Sequence, residues 1–283
     1  MTQRALAASL VSLPLLGLTL AARTALAFDS VAGDPILDRF NIDLGTFFYG
    51  TGTTITLNGQ YGERGTPIDA ERTLGLREAD RFRLDGYWRF TKHQRLRVSY
   101  FQADRHAAKT LDQTLQYGNV TFPVNASVST QNNASIAELF YEFDFLVLEN
   151  FSLGVDLGIH NINFGMTLSA TTKVPGATPA TVTVSQNASA DGPLPMIGMS
   201  AIWRVSPQFY FTASAQGLKV TVSPYSGSFQ DYGGSVVWQP FKHFGVGGGY
   251  DLFLLDASVN KTSFNGHLNW RYSGPRAFIS GSF

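Results

Sequence analysis

The chain has 283 residues, 21 basic and 21 acidic side chains, a formal charge of zero and no cysteine. That balance argues against a nucleic-acid partner, and the missing cysteine excludes disulfides and thiolate metal sites. With 28 Gly, 22 Phe and 11 Tyr the composition favours β structure, and no linker or composition shift after Asp34 divides the chain into two domains.

Arg4 precedes an apolar run from Ala5 to Ala22, and Arg23-Thr24-Ala25-Leu26-Ala27 follows. A basic start, an apolar middle and Ala25-x-Ala27 are the parts of a cleavable secretory signal, predicted over residues 1–27 with a mature start at Phe28. Pro14 interrupts the run and argues against a retained anchor. No later stretch reaches the roughly 18 uninterrupted apolar residues of a spanning helix, so any further crossing needs strands. Residues 28–38 read as a periplasmic segment and 39–283 as one β domain.

Alternation is the main signal. Phe82, Leu84, Gly86, Trp88 and Phe90 interleave with Arg81, Arg83, Asp85, Tyr87 and Arg89, so the two sets lie on opposite faces of a strand. A polar turn at Thr91–Gln94 leads to Leu96, Val98 and Tyr100, which alternate with Arg95, Arg97 and Ser99. Leu139, Tyr141, Phe143 and Phe145 alternate with Glu138, Glu142 and Asp144, and Val155, Leu157 and Ile159 with Asp156 and His160. Two further hairpins turn at Ser206-Pro207-Gln208 and at Pro240-Phe241-Lys242-His243.

The four short turns follow strands that end in Phe90, Phe145, Trp203 and Trp238, and aromatics near strand ends suit a membrane–water interface. Gly59–Asp80, His106–Asn132 and Thr171–Gly192 read as long polar loops at the opposite end. Short turns on one side and long loops on the other are the layout of an outer-membrane barrel. The predicted fold is all-β, a closed antiparallel transmembrane barrel of about ten strands, with twelve or eight as alternatives. The strand count turns on Ser273-Gly274-Pro275. The apolar set is even before it (Phe264, Leu268, Trp270, Tyr272) and odd after it (Ala277, Ile279, Phe283), predicting a bulge or a fifth turn. A soluble β-sandwich is the competing fold.

The final alternating segment closing on Phe283 resembles the last strand of bacterial outer-membrane barrels. Leu74-Gly75-Leu76, Arg83, Gly86-Tyr87-Trp88-Arg89-Phe90, His93 and Leu96–Phe101 resemble a proteobacterial outer-membrane protein family of unassigned function. Pro193-Leu194-Pro195-Met196-Ile197-Gly198, Gly247-Gly248-Gly249-Tyr250 and Tyr272-Ser273-Gly274-Pro275 fit its later landmarks, while Thr73 stands where that family carries an acidic residue. The resemblance covers most of the mature chain and implies a barrel in the outer membrane.

A charge facing lipid at mid-membrane costs about 2–4 kcal/mol, so the charged faces are expected inside. That lumen set is Asp43, Arg81, Arg83, Asp85, Arg89, Arg95, Arg97, Glu138, Glu142, Asp144 and Asp156. It would be either a space-filling ion-pair network or a charged constriction for small solutes. Barrels of about eight strands are filled by side chains and water-filled pores come at about sixteen, which favours the network.

His106 beside Asp104, and His160 near Asp156, are the candidate centres for a membrane-embedded hydrolase acting on lipid or peptide, without a recognisable motif. His93 and His243 fall in turns, and His267, flanked by Asn265 and Asn269, is expected in the lumen. Gly245–Gly249 lacks the strand–loop–helix setting of a phosphate loop. No cofactor or metal is expected. The expected partners are outer-membrane lipid, lipopolysaccharide and, through the strand ending at Phe283, the barrel-assembly machinery, with the protein a monomer. The expected role is structural support or small-solute passage, with the hydrolase and a secreted binding sandwich as alternatives.

Overall fold

The computed structural model describes residues 34–48, 50–77, 82–174, 180–223, 225–261 and 265–283. The signal sequence, the mature start and Arg81 lie outside the described residues.

Long antiparallel strands form a ring. Its members are β1 (Phe40–Phe47), β4 (Phe82–Thr91), β5 (Gln94–Thr110), β8 (Ser127–Val147), β9 (Phe151–Val174) and β10 (Ala180–Ser206). β11 (Phe209–Val222), β12 (Tyr225–Trp238), β13 (Phe244–Asn260) and β14 (Asn265–Ser282) complete it, and β14 pairs back onto β1. The ring passes through ten strands. A closed ring leaves no room for the sandwich.

The last residue finishes the closure: Phe283 N donates to Phe40 O and Phe40 N to Phe283 O, each at 2.9 Å. β2 (Gly50–Leu57) extends β1 along the same edge of β14, because Phe47 faces Arg276 and Gly50 faces Ser273 in one unbroken register. The remaining elements are at the loop end: β3 (Ile68–Asp69), α1 (Ala70–Leu74), β6 (Leu115–Tyr117) and β7 (Val120–Phe122).

Two expectations are corrected. Ser273-Gly274-Pro275 is neither a bulge nor a turn, since β13 and β14 keep one register from Phe244↔Gly281 to Asn260↔Asn265. The stretches read as long loops from His106 and from Thr171 are mostly strand, because β5 reaches Thr110, β8 begins at Ser127, and β9 and β10 run to Val174 and from Ala180.

Both corrections have one physical cause: the polarity of the two faces inverts partway up the wall. On β9, Val155, Leu157 and Ile159 face outward and Asp156 and His160 inward. Above them Asn161 and Asn163 face outward, and Ile162, Phe164, Met166 and Leu168 are buried inside. β14 does the same, with Trp270 and Tyr272 buried inside and Arg276 inside below them. The turn half is therefore apolar outside and polar inside, as lipid demands. The loop half is polar outside with an apolar core, as in a water-soluble protein.

Local chemistry supports the loop end. Asp69 caps α1 by accepting from Arg72 N, and Gly75 ends it at φ 75°, a left-handed position that glycine occupies without a Cβ penalty. Leu74 and Leu76, on either side of that glycine, are buried in the apolar core. The Leu-Gly-Leu motif is thus a helix stop that anchors a loop. Gly247, on β13, lies against the ring of Phe278, where a Cβ would come within 2.3 Å. The Gly245–Gly249 run is part of a strand.

Candidate functional site

The interior is layered from turn end to loop end. At the bottom the N-terminal turn folds up into the barrel. Ile36 is buried against Ile202, Tyr210, Val237 and Phe278. Arg204 Nη1 holds Asp34 Oδ2 at 3.0 Å and the Tyr87 hydroxyl donates to Pro35 O at 3.3 Å.

Above this turn is the charged layer. Arg97 Nε donates to Glu142 Oε1 at 2.6 Å, and Arg95 pairs with the other oxygen of Glu142. Arg89 Nη1 donates to Asp144 Oδ2 at 2.7 Å, with Arg95 Nη2 3.8 Å from Asp144 Oδ1. Arg97 also lies 3.9 Å from Glu138 and 3.7 Å from Asp156, and its guanidinium stacks 4.4 Å over the Phe140 ring. Asp156 accepts further hydrogen bonds from Ser200 and Gln216. A second knot joins Arg83 to Asp85 at 2.8 Å, Arg276 to Asp85 at 3.0 Å, and Arg276 to Asp251 at 3.1 Å.

Asp43, also on the inner face, borders with Arg83, Asp85, Arg97, Glu142 and Arg276 a chamber of about 120 Å³. Buried ion pairs of this kind offset their desolvation only when every partner is matched.

All described members of the predicted lumen set thus lie on the inner face. The structure adds Asp231, Asp251, Arg276, Ser200 and Gln216, which the sequence reading missed. Parity would have found Asp231 and Asp251, since both alternate with outward residues on β12 and β13.

Over the charged layer sits the apolar core of the loop half. Phe47, Phe101, Phe253, Trp270 and Tyr272 pack ring to ring, with Phe253 stacked on Tyr272 at 4.5 Å. The β6–β7 hairpin drops Leu115, Tyr117 and Phe122 into the same core, and Tyr117 donates from its hydroxyl to Met166 O at 3.1 Å. Burial pushes the Tyr117 phenol well above its ordinary pKa. Arg105 ties the helix to the wall, bonding Glu71 at 2.6 Å, Thr51 at 2.7 Å and Asn132 at 2.8 Å.

The histidines separate. His106 is exposed on the outer wall beside Asp104. His93 Nδ1 lies 2.7 Å from Asp144 O, and His243 Nδ1 lies 2.6 Å from Ser282 O with its ring stacked on Phe283. His160 is fully buried between Phe140 and Phe229, with Glu138 at 3.7 Å. Together with Asp231, Glu138 and His160 have the composition of a metal site. The guanidinium of Arg97 already supplies countercharge to Glu138, so no metal role is assigned.

His267 corrects its expectation. It lies on the outer face of the loop half, between Ser258 Oγ at 3.1 Å and Asp256 Oδ2 at 3.4 Å. Hydroxyl, imidazole and carboxylate stand in a row as in serine hydrolases, but with the ring nitrogens exchanged: Ser258 meets Nδ1 and Asp256 meets Nε2. Yet β13 is paired on both edges here and β14 likewise, so among the described residues the sheet amides are engaged in ladders and none is left for an oxyanion.

No family model and no curated protein matches the chain. Among solved structures, the outer membrane protease OmpT of Escherichia coli aligns with a TM-score of 0.57 over 87% of this chain and 97% of its own, at 10% identity. The fold is that of an outer-membrane β-barrel. The attachment invasion locus protein Ail of Yersinia pestis (TM-score 0.33, 10% identity, 87% and 97% coverage) is a more distant match. So is the toluene transporter TodX of Pseudomonas putida (TM-score 0.31, 8% identity, 87% and 89% coverage). At such identity the OmpT likeness speaks for architecture and carries no catalytic residue across.

Proposed function

We propose that this protein is an outer-membrane barrel with a closed, ion-paired lumen, serving as a rigid support for an extracellular head. The turn half, with its apolar outer face, would span the membrane. The loop half, polar outside and apolar within, would stand above it as the head. Export by the predicted signal and insertion through the strand ending at Phe283 belong to the same reading, as does a monomeric state.

The observation that carries it is the closure. An aromatic core lies over the charged layer and Ile36 lies beneath it, and the charges between them line a chamber of about 120 Å³. A water-filled passage would need both covers to move.

Planar-bilayer recording of refolded mature protein tests the reading. No stepwise current is expected. A steady current whose ion selectivity changes on Glu142→Gln would overturn closure and establish small-solute passage. Migration in electrophoresis with and without boiling tests the membrane barrel itself, since a closed barrel migrates differently until heated.

A further inference from the structure

We infer that the barrel wall holds a hydrocarbon site at the seam between β10 and β11, and that its occupant is an acyl chain of an outer-leaflet lipid. β10 pairs with β9 without a break from Ala180 to Trp203. With β11 it pairs only from Ile197 toward the turn. Carrying that register further would set Pro195 opposite Lys219 and Pro193 opposite Thr221.

The N–H groups of alternate strand residues point to the same neighbour, so prolines two apart remove successive donors from one edge only. The β9 edge remains paired at both prolines. The edge they strip is therefore the one facing β11, and the Pro-Leu-Pro landmark of the sequence becomes the cause of an open seam.

Behind the seam is a cavity of about 340 Å³ walled by Ile162, Phe164, Leu194, Val220, Leu255 and Val259. Pro193 and Pro195, exposed on the outer face, border the same cavity, so it communicates with the outside of the wall past the β10 edge. Small-molecule sites span about 300–1,000 Å³. Asp191, exposed on the outer face, brings the single charge, and a lining otherwise of carbon suits a ligand with nothing to hydrogen-bond.

The level of the seam selects the source. Pro195 pairs with Ile159 and Pro193 with Asn161, the pair at which the outer face of β9 changes from apolar to polar. The seam thus begins at the outer margin of the apolar belt, in reach of acyl chains. This rests on the belt lying in a membrane, as proposed above, and heat-modifiable migration reports that separately.

Trp270 supplies the test. It is 1% exposed and its ring lies 5.6 Å from Phe164, which lines the cavity. Changing Trp88, Trp203 and Trp238 to Phe leaves it as the sole tryptophan of the 4. In vesicles of phosphatidylcholine brominated along the acyl chain, Trp270 should lose emission relative to unbrominated vesicles. Ala257 also lines the cavity, so Ala257→Phe, which fills it, should restore the emission, and so should Pro193→Thr with Pro195→Thr, which returns the missing donors. Heat-modifiable migration confirms that each variant still folds. Unchanged emission in brominated vesicles overturns the site. So does quenching that persists in folded filled and resealed variants, since the bromines would then act through the wall. Quenching by a brominated short alkane in detergent, without quenching by the lipid, overturns the lipid assignment.

Discussion

Arg97 Nε and Glu142 Oε1 lie 2.6 Å apart on neighbouring strands, and the same carboxylate pairs with Arg95 through its second oxygen. Glu142 is fully buried and balances two guanidiniums at once. Glu142→Gln should therefore cost about 3–5 kcal/mol, the range for breaking a buried pair. Replacing Arg97 and Glu142 together by Met and Leu should cost less than the sum of the single changes, because the two are directly coupled. Urea unfolding in detergent, followed by circular dichroism, measures both.

Tyr272 stacks on Phe253 at 4.5 Å and meets Phe101 at 5.3 Å and Phe47 at 5.6 Å. Truncating a buried aromatic leaves a cavity, and Tyr272→Ala is expected to destabilise by about 3–5 kcal/mol. Because Ile36 closes the other end, the same variant should still pass no current in a planar bilayer.

Asp38 gives the N-terminal turn a pH dependence. Its Oδ2 is buried without a hydrogen-bond partner among the described residues, and burial raises its pKa above the usual 3.8. A raised carboxyl binds its proton more tightly when folded. Its contribution is fully present below the usual value and is lost as pH rises through the raised one. Docking of the turn should thus weaken from acid to neutral pH, and Asp38→Asn should remove that part of the dependence while tightening the turn at neutral pH. Hydrogen exchange at the Ile36 and Leu37 amides, compared between the two proteins, reads this out.

Ser258, His267 and Asp256 should be inert. Among the described residues the surrounding ladders leave no amide for an oxyanion, and the His267 and Asp256 side chains are 40% and 53% exposed. A fluorophosphonate probe should leave Ser258 unlabelled, and His267→Ala should change stability by no more than about 0.5 kcal/mol. A covalent adduct on Ser258 would instead revive the hydrolase reading.

Alternation along each strand and the short aromatic-flanked turns already determine a closed barrel of the outer-membrane kind and the inward parity of most of its charges. A period of two is fixed by backbone geometry, so it survives in any tertiary setting. Which face an apolar residue prefers is not fixed in that way, because it depends on the solvent beyond the wall. Arg276 and Tyr272 share the inner face of one unbroken strand, yet one bonds carboxylates and the other packs among rings. From sequence alone that swap reads as a bulge or a fifth turn at Ser273-Gly274-Pro275 and carries His267 into the lumen. Only the assembled wall, with lipid-like outer chemistry below and water-like outer chemistry above, decides where the faces exchange. The Pro193–Pro195 seam likewise emerges only once β10 has a neighbour on each side, because a missing N–H matters only where a partner strand would accept it.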